Sequence, residues 1–237
     1  MKSGVVVAGA GGQLGQEMMQ LAAPNDKCIA LGRRELDISD PDAVMRCLRQ
    51  YEPEVIVNAA AYTAVDQAES EPALAHLANA DGPRNLAVAC GEHGVRLIHI
   101  STDFVFDGQS NSPYLPEASA APLGEYGRSK LAGELAVLEA LPGALIYRTG
   151  WVYSCYGGNF VKTMLRLFAE RDSLNVVADQ IGTPTWARGL AQAVWAGVKR
   201  PSLEGIYHWS DAGVCSWYDF AVAIEEEGRA LGLLQNP

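Results

Sequence analysis

A doubly wound α/β fold with a parallel (Rossmann) sheet is predicted by three observations. Short, continuous apolar runs recur along the chain, helical patterns alternate with them, and a glycine-rich turn follows the first run. Runs this short and this apolar fit strands buried on both faces. Strict alternation of such strands with helices specifies a parallel sheet with helices on both sides.

The runs lie at residues 5–8, 28–31, 55–57, 97–100 and 145–147. Between them, residues 14–22, 41–51, 71–90 and 126–140 carry apolar side chains at helical spacing. Asp40 is the expected N-cap of the second helix, with Pro41 in its first position. Pro142 and Gly143 end the fourth. After Thr149 the alternation weakens. Helices are expected at 159–169, 185–198 and 217–227, in sequence richer in Trp, Tyr and Gly. The division is into a nucleotide-type domain of residues 1–152 and 177–198 and a smaller, mostly α lobe of residues 153–176 and 199–237.

Composition excludes several classes. The chain of 237 residues is 49% hydrophobic and 19% charged, which suits a folded globular protein. Its formal net charge of -10 argues against charge-driven nucleic-acid binding. No apolar run is long enough to span a bilayer, and residues 1–10 read as a strand, not a signal peptide. Cys28, Cys47, Cys90, Cys155 and Cys215 form no CxxC pair, so reduced thiols and a cytoplasmic setting are expected. The four histidines show no zinc-ligand spacing, and no metal ligand is assigned.

Gly9, Gly12 and Gly15 follow the first strand with GxxGxxG spacing. Gly9 permits the tight turn, Gly12 lets a pyrophosphate approach the backbone, and Gly15 lets the helix pack closely. The helix N-terminus then offers N–H groups and a positive dipole end to phosphates. A flexible Gly-rich loop is the alternative, but the strand–turn–helix context favours a dinucleotide. The second strand ends in Arg33 and Arg34 where NAD binders place an acidic residue. They suit a 2′-phosphate and hence NADPH; two solvated arginines are the alternative, which leaves NADH open. Asp37 either accepts from an adenine amino group or serves the loop as a capping aspartate.

Tyr126 and Lys130 form a YxxxK pair on one helix face. A cation near a phenol stabilises the phenolate and lowers its pKa, which suits proton transfer to a carbonyl oxygen. An amphipathic helix with a surface Tyr and Lys is the alternative. The fourth strand ends in Ser101 and Thr102, at the sheet edge where doubly wound folds bind ligands. Thr102 first, and Ser101 second, is the hydroxyl expected to meet the phenol; a strand-end cap is the other reading.

Taken with residues 9–16, 58–66, 79–87, 100–108, 126–134, 148–153, 159–165 and 179–185, these motifs resemble the extended short-chain dehydrogenase/reductases. Within them the pattern is similar to the dTDP-4-dehydrorhamnose reductase family, over almost the whole chain. The resemblance implies transfer of a hydride from NADPH or NADH to the 4-keto group of dTDP-4-dehydro-L-rhamnose. It makes Thr102, Tyr126 and Lys130 the catalytic set. It places Gln13, Leu14, Ile38, Ala59, Ala60, Ala61 and Tyr62 along the cofactor with the Gly turn, Arg33 and Asp37. Thr63, Asp103, Phe104, Trp151 and Gln180 would line the sugar pocket.

Phe104 stands where the family usually has Tyr, which removes one hydroxyl. The family continues beyond the position of Pro237 through a Tyr-Pro-Thr-Pro-like segment, so the lobe is expected to be incomplete at its C-terminal end. The resemblance admits a homodimer. Some family dimers gather acidic side chains around magnesium, a set that does not map onto this sequence. Two other functions share the motifs: a nucleotide-sugar epimerase or dehydratase, and a nonenzymatic dinucleotide-binding regulatory subunit.

Overall fold

A computed structural model describes residues 4–234; the expected domain ends at residues 1–3 and 235–237 lie outside the described residues. Strand β1 (Val5–Ala8) is buried along its length and turns through Gly9 into α1 (Gln13–Leu21). Strand β2 (Cys28–Leu31) leads to α2 (Pro41–Tyr51), where the Asp40 side chain accepts from the Asp42 amide and Pro41 opens the first turn. Strand β3 (Val55–Asn58) is followed by the short helices α3 (Val65–Ala68) and α4 (Pro72–His76).

The helix expected over 71–90 is continuous in direction but changes register. A π-helical turn, Leu77–Asp81, joins α4 to α5 (Gly82–His93), and the Gly82 amide reaches back to the Leu77 carbonyl. Pro83 explains the change, because it has no N–H to give the Asn79 carbonyl four residues earlier. Strand β4 (Arg96–Thr102) then runs two residues past its apolar run into Ser101 and Thr102 and breaks into a 3-10 turn, Asp103–Val105.

Helix α6 (Glu125–Ala140) and strand β5 (Leu145–Thr149) complete the alternation. A small strand β6 (Val152–Tyr153) and helix α7 (Phe160–Glu170) follow. Then come β7 (Ile181–Gly182), β8 (Thr185–Trp186) and α8 (Ala187–Val198). Strand β9 (Gly205–His208), β10 (Cys215–Ser216) and α9 (Trp217–Ala230) end the described chain.

The main sheet is parallel, in the order β2-β1-β3-β4-β5-β9. Its order reverses between β1 and β3, which is the switch point where such sheets open a crevice. Alternate strand residues feed two cores. Val6, Ile56, Leu97 and Ile146 pack under α2, α5 and α6, whereas Val7, Val57, Ile98 and Leu145 pack against α1 and α8. The sheet takes in Gly205–His208, which the sequence reading assigns to the lobe. As an edge strand it is half-buried and interrupted by polar positions, so it lacks a continuous apolar run.

The lobe has its own core. Met164 of α7 and Ala221 and Ile224 of α9 are buried there, with Phe160, Phe168 and Phe220 against them. Asn159 caps α7, and Ser216 and Asp219 form a reciprocal capping box on α9.

Candidate active site

The glycine turn is built as its spacing requires. Gly9 has φ of +78°, and a Cβ there would lie 2.5 Å from the Ala60 amide nitrogen. A Cβ on Gly15 would lie 2.5 Å from the Ala10 Cα, so the helix start can approach the turn only without a side chain. Gly12 caps α1 with no side-chain hydrogen bond, which leaves the helix N–H groups open. Gly9 and Gly12 line a cleft of about 590 Å³ between the ends of β1 and β3.

Arg33, Asp37, Ile38, Ala59, Ala60, Ala61, Tyr62 and Thr63, all singled out in the sequence, line that cleft. Thr63 thus lies on the Gly-turn side, not beside the Trp151 group. Asp37 is committed locally: its Oδ1 accepts from the Ser39 amide at 3.0 Å and hydroxyl at 2.6 Å, and Oδ2 faces Arg33 Nε at 3.7 Å. The Ser39 hydrogen bonds are the main reason that its carboxyl titrates below the usual range. Leu14 is a core residue between α1 and the sheet. Gln13 donates to the Val152 carbonyl and accepts from Asn159.

Thr102, Tyr126 and Asp103 come together where β4 meets α6. Thr102 Oγ1 donates to Asp103 Oδ1 at 3.1 Å and accepts from the Phe104 amide at 3.2 Å. The Tyr126 phenol lies near Thr102, whose hydroxyl favours its ionised form. Phe104 packs edge-on against the Tyr126 ring, with centroids 5.5 Å apart. The Ser101 hydroxyl is buried without a hydrogen-bond partner. The structure therefore brings Thr102, and not Ser101, to the phenol.

The sequence reading has Lys130 lowering the phenol's pKa. In the structure, burial pushes the Tyr126 phenol up to about 12; the Thr102 hydroxyl works against this, and the Asp103 charge adds to it. Lys130 is spent differently. It is fully buried and donates to the Ile100 carbonyl at 2.6 Å. Burial lowers its pKa to about 8, with the Glu134 carboxylate opposing the fall. Asp103 is exposed at the residue level, yet burial of its carboxyl raises its pKa to about 6.

Several residues here were not singled out in the sequence. Asn79, in the π turn, holds the loop after β3 by a two-way bond: the Tyr62 amide donates to its Oδ1 at 2.8 Å and its Nδ2 donates to the Tyr62 carbonyl at 3.0 Å. The same Nδ2 donates to Ser129 Oγ, which donates in turn to the Tyr126 carbonyl. Glu134, one turn after Lys130, is ion-paired with Arg148 of β5 at 2.6 Å, both side chains almost wholly buried. Asn58 Nδ2 donates to His99 Nδ1 at 3.1 Å, its orientation fixed by the Ala60 amide on Oδ1. Burial, and then the Lys130 charge, holds His99 well below its ordinary pKa.

Trp151 and Gln180 meet at Trp217, the first residue of α9. The two indoles are stacked at 3.5 Å, and Trp217 Nε1 donates to Gln180 Oε1 at 3.2 Å. Trp151 adopts φ of +52°, and Gly182 leaves room for its ring. A second cavity, of about 440 Å³, opens beyond Asp103 between Tyr114, Arg148, Gly150, Gly182 and His208. Among the described residues no group of three or more His, Cys, Asp or Glu side chains forms a metal site, and no helix is long and apolar enough to cross a membrane.

A doubly wound sheet, a glycine turn at its first crossover and a Thr–Tyr–Lys set beside the same crevice define a Rossmann-type protein of the reductase and epimerase class. The chain belongs to the family described as the RmlD substrate binding domain, whose model matches residues 1–235. It is 43% identical over 237 residues to dTDP-4-dehydrorhamnose reductase of Escherichia coli K12, covering 97% of this chain and 79% of that protein. It is 44% identical over 221 residues to a probable dTDP-4,6-dihydroxy-2-methyloxan-3-one 4-ketoreductase of Streptomyces antibioticus, covering 92% and 75%. Among solved structures, dTDP-4-dehydrorhamnose reductase of Bacillus anthracis in complex with NADP superposes with a TM-score of 0.93 at 41% identity, over 100% of this chain and 83% of that one.

Proposed function

We propose that this chain reduces the 4-keto group of dTDP-4-dehydro-L-rhamnose to give dTDP-L-rhamnose, with Tyr126 giving the proton to the keto oxygen. The packing of Tyr126 against Tyr62, a wall of the glycine-lined cleft, carries the reading. Relatives over 40% identical bear this activity in their names. The reduced nicotinamide, when bound, supplies the hydride.

The chain's own groups do the rest. The open N–H groups at the start of α1 receive the pyrophosphate. Arg33, 82% exposed along its side chain, has room to turn toward a 2′-phosphate, which favours NADPH while leaving NADH usable. Lys130 spends one of its three hydrogens on Ile100 and keeps two for the nicotinamide ribose. Tyr126, held protonated by burial, is in the form that can give a proton. Asp103, Phe104, Trp151 and Gln180 are assigned to the sugar on the family resemblance. A reducing, cytoplasmic setting, expected from the unpatterned cysteines, belongs to the same reading. A homodimer belongs to the same reading, and sedimentation velocity measures it.

The test is oxidation of NADPH and of NADH by the purified chain with dTDP-4-dehydro-L-rhamnose. Turnover with rhamnose configuration in the product supports the reading; no turnover with either cofactor overturns it.

A further inference from the structure

We infer that Asn79 is a positioning residue of the reductase: it locks the cleft wall at Tyr62 to the catalytic helix at Ser129, so one buried side chain sets the distance between the bound cofactor and the Tyr126 phenol. The inference rests on the reductase reading and deepens it.

The Asn79 amide is wholly committed. The residue is fully buried. Its Oδ1 accepts from the Tyr62 amide at 2.8 Å, and its Nδ2 donates to the Tyr62 carbonyl at 3.0 Å and to Ser129 Oγ at 3.0 Å, which uses both of its hydrogens. Tyr62 lines the 590 Å³ cleft. It lies 17 residues before Asn79, and Ser129 lies 50 residues after it, so this one side chain joins segments that only the fold brings together.

The hold on α6 has two points. Ser129 passes the first to Tyr126 by donating to its carbonyl at 2.8 Å. One turn further on, a Cβ at Gly133 would run into the Asn79 carbonyl, so the π turn and α6 meet there at backbone distance. Tyr126, Ser129, Lys130 and Gly133 follow the i, i+3, i+4, i+7 spacing of one helix face, and all four are buried. Asn79 therefore grips the face that carries the phenol and the ammonium, once with its side chain and once with its backbone.

The other links between this segment and α6 leave more freedom. Tyr62 and Tyr126 share an apolar cluster with Ala68 and Ala75, and such packing is non-directional. Glu69 Oε1 accepts from the Glu125 amide at 2.7 Å, but that bond is exposed, at the first turn of α6. Hydrogen bonds closed off from water fix both distance and angle. Alignment at that level matters to the rate, since a displacement of about 1 Å costs about 10²-fold.

Two variants and two measurements test the lock. Ser129→Ala removes one oxygen from α6 and leaves an Asn79 hydrogen buried without its acceptor. Asn79→Ala removes the whole link. The first measurement is single-turnover oxidation of bound NADPH by dTDP-4-dehydro-L-rhamnose, in which the amplitude counts folded, loaded sites and the rate constant reads alignment. The rate constant should fall about tenfold in Ser129→Ala and about 10²-fold in Asn79→Ala, with the amplitude retained. The double variant should be no slower than Asn79→Ala, because both changes cut the same link. The second measurement is hydrogen exchange at the Tyr62 amide. That amide bonds to Asn79, and its exchange should quicken several-fold in Ser129→Ala as the loosened Asn79 carries the loss across.

A lower amplitude with a wild-type rate constant would make Asn79 a purely structural residue and overturn the inference. Unchanged Tyr62 exchange in Ser129→Ala would show that the two grips are independent, and overturns it equally. If Asn79→Ala fails to fold, Ser129→Ala alone decides both points. Absence of wild-type turnover strikes the reductase reading instead, and the exchange measurement, which needs no turnover, keeps the two failures apart.

Discussion

Trp151 lies flat on Trp217, ring centroids 3.5 Å apart and planes 10° from parallel, although its own backbone is in the left-handed region at φ +52°. A bulky residue adopts that conformation only when its surroundings over-determine it. Here the stack and the bare Gly182 do so. The lobe thereby sets the orientation of a ring at the end of β5. Trp217→Ala should therefore raise KM for the sugar nucleotide several-fold while leaving cofactor affinity unchanged. Isothermal titration with each ligand checks this, and equal losses for both would show that the stack does not act on the sugar side.

Tyr126→Phe removes one oxygen from a packed site without opening a cavity. Turnover should drop by about 10²- to 10⁴-fold, the range for a lost general acid. The cleft between β1 and β3 is untouched, so NADPH should still quench tryptophan fluorescence with wild-type affinity. Retained turnover would remove Tyr126 from the chemistry.

Glu134 and Arg148 are a buried pair, and Arg148 also donates to the Pro116 carbonyl and faces the Phe106 ring. Removing one charge strands the other in a poor solvent. Glu134→Gln should cost about 3–5 kcal/mol, read from urea unfolding. A loss below about 1 kcal/mol would mean that Arg148 finds another partner or water.

Lys130 gives a pH dependence with a definite sign. Burial lowers its pKa from 10.5 to about 8. Between those values the unfolded chain holds the proton that the folded chain has released, so stability rises with pH across that window. Below about 8 both states are protonated and the penalty is constant. Lys130→Met removes this slope. The difference in unfolding free energy between variant and wild type should shrink as pH climbs from 8 to 10.5, and a constant difference would contradict the buried, weakened ammonium.

The sheet was legible because strands buried on both faces leave unbroken apolar runs; the expected bounds of β1 and β2 coincide with the observed strands. Strand β9 was not, because an edge strand alternates weakly and Tyr207 of it faces outward. The Tyr126–Lys130 spacing could be read because a helix repeats locally. What the two residues do to each other could not. Whether a lysine lowers a phenol's pKa depends on where both ends point, and Lys130 points at Ile100. The Asn79 clamp and the Trp151–Trp217 stack were hidden for the same reason: each joins segments whose approach only the fold decides.

The pairing of β9 with β5 also has a temporal side. Between Thr149 and Gly205 the chain makes the longest excursion separating any two neighbouring strands of the sheet, passing through α7 and α8 before it returns. Closing so long a loop costs entropy that only the finished contact repays. The expected order of assembly therefore puts the β1–β3–β4 nucleus first and β9 last, and pulse-labelled hydrogen exchange would follow it. Protection of the Ile206 and Tyr207 amides ahead of those in β3 would reverse that order. A last-formed edge is also the first to let go, so the rim of the sheet next to the 440 Å³ cavity is where this molecule would start to come apart under stress.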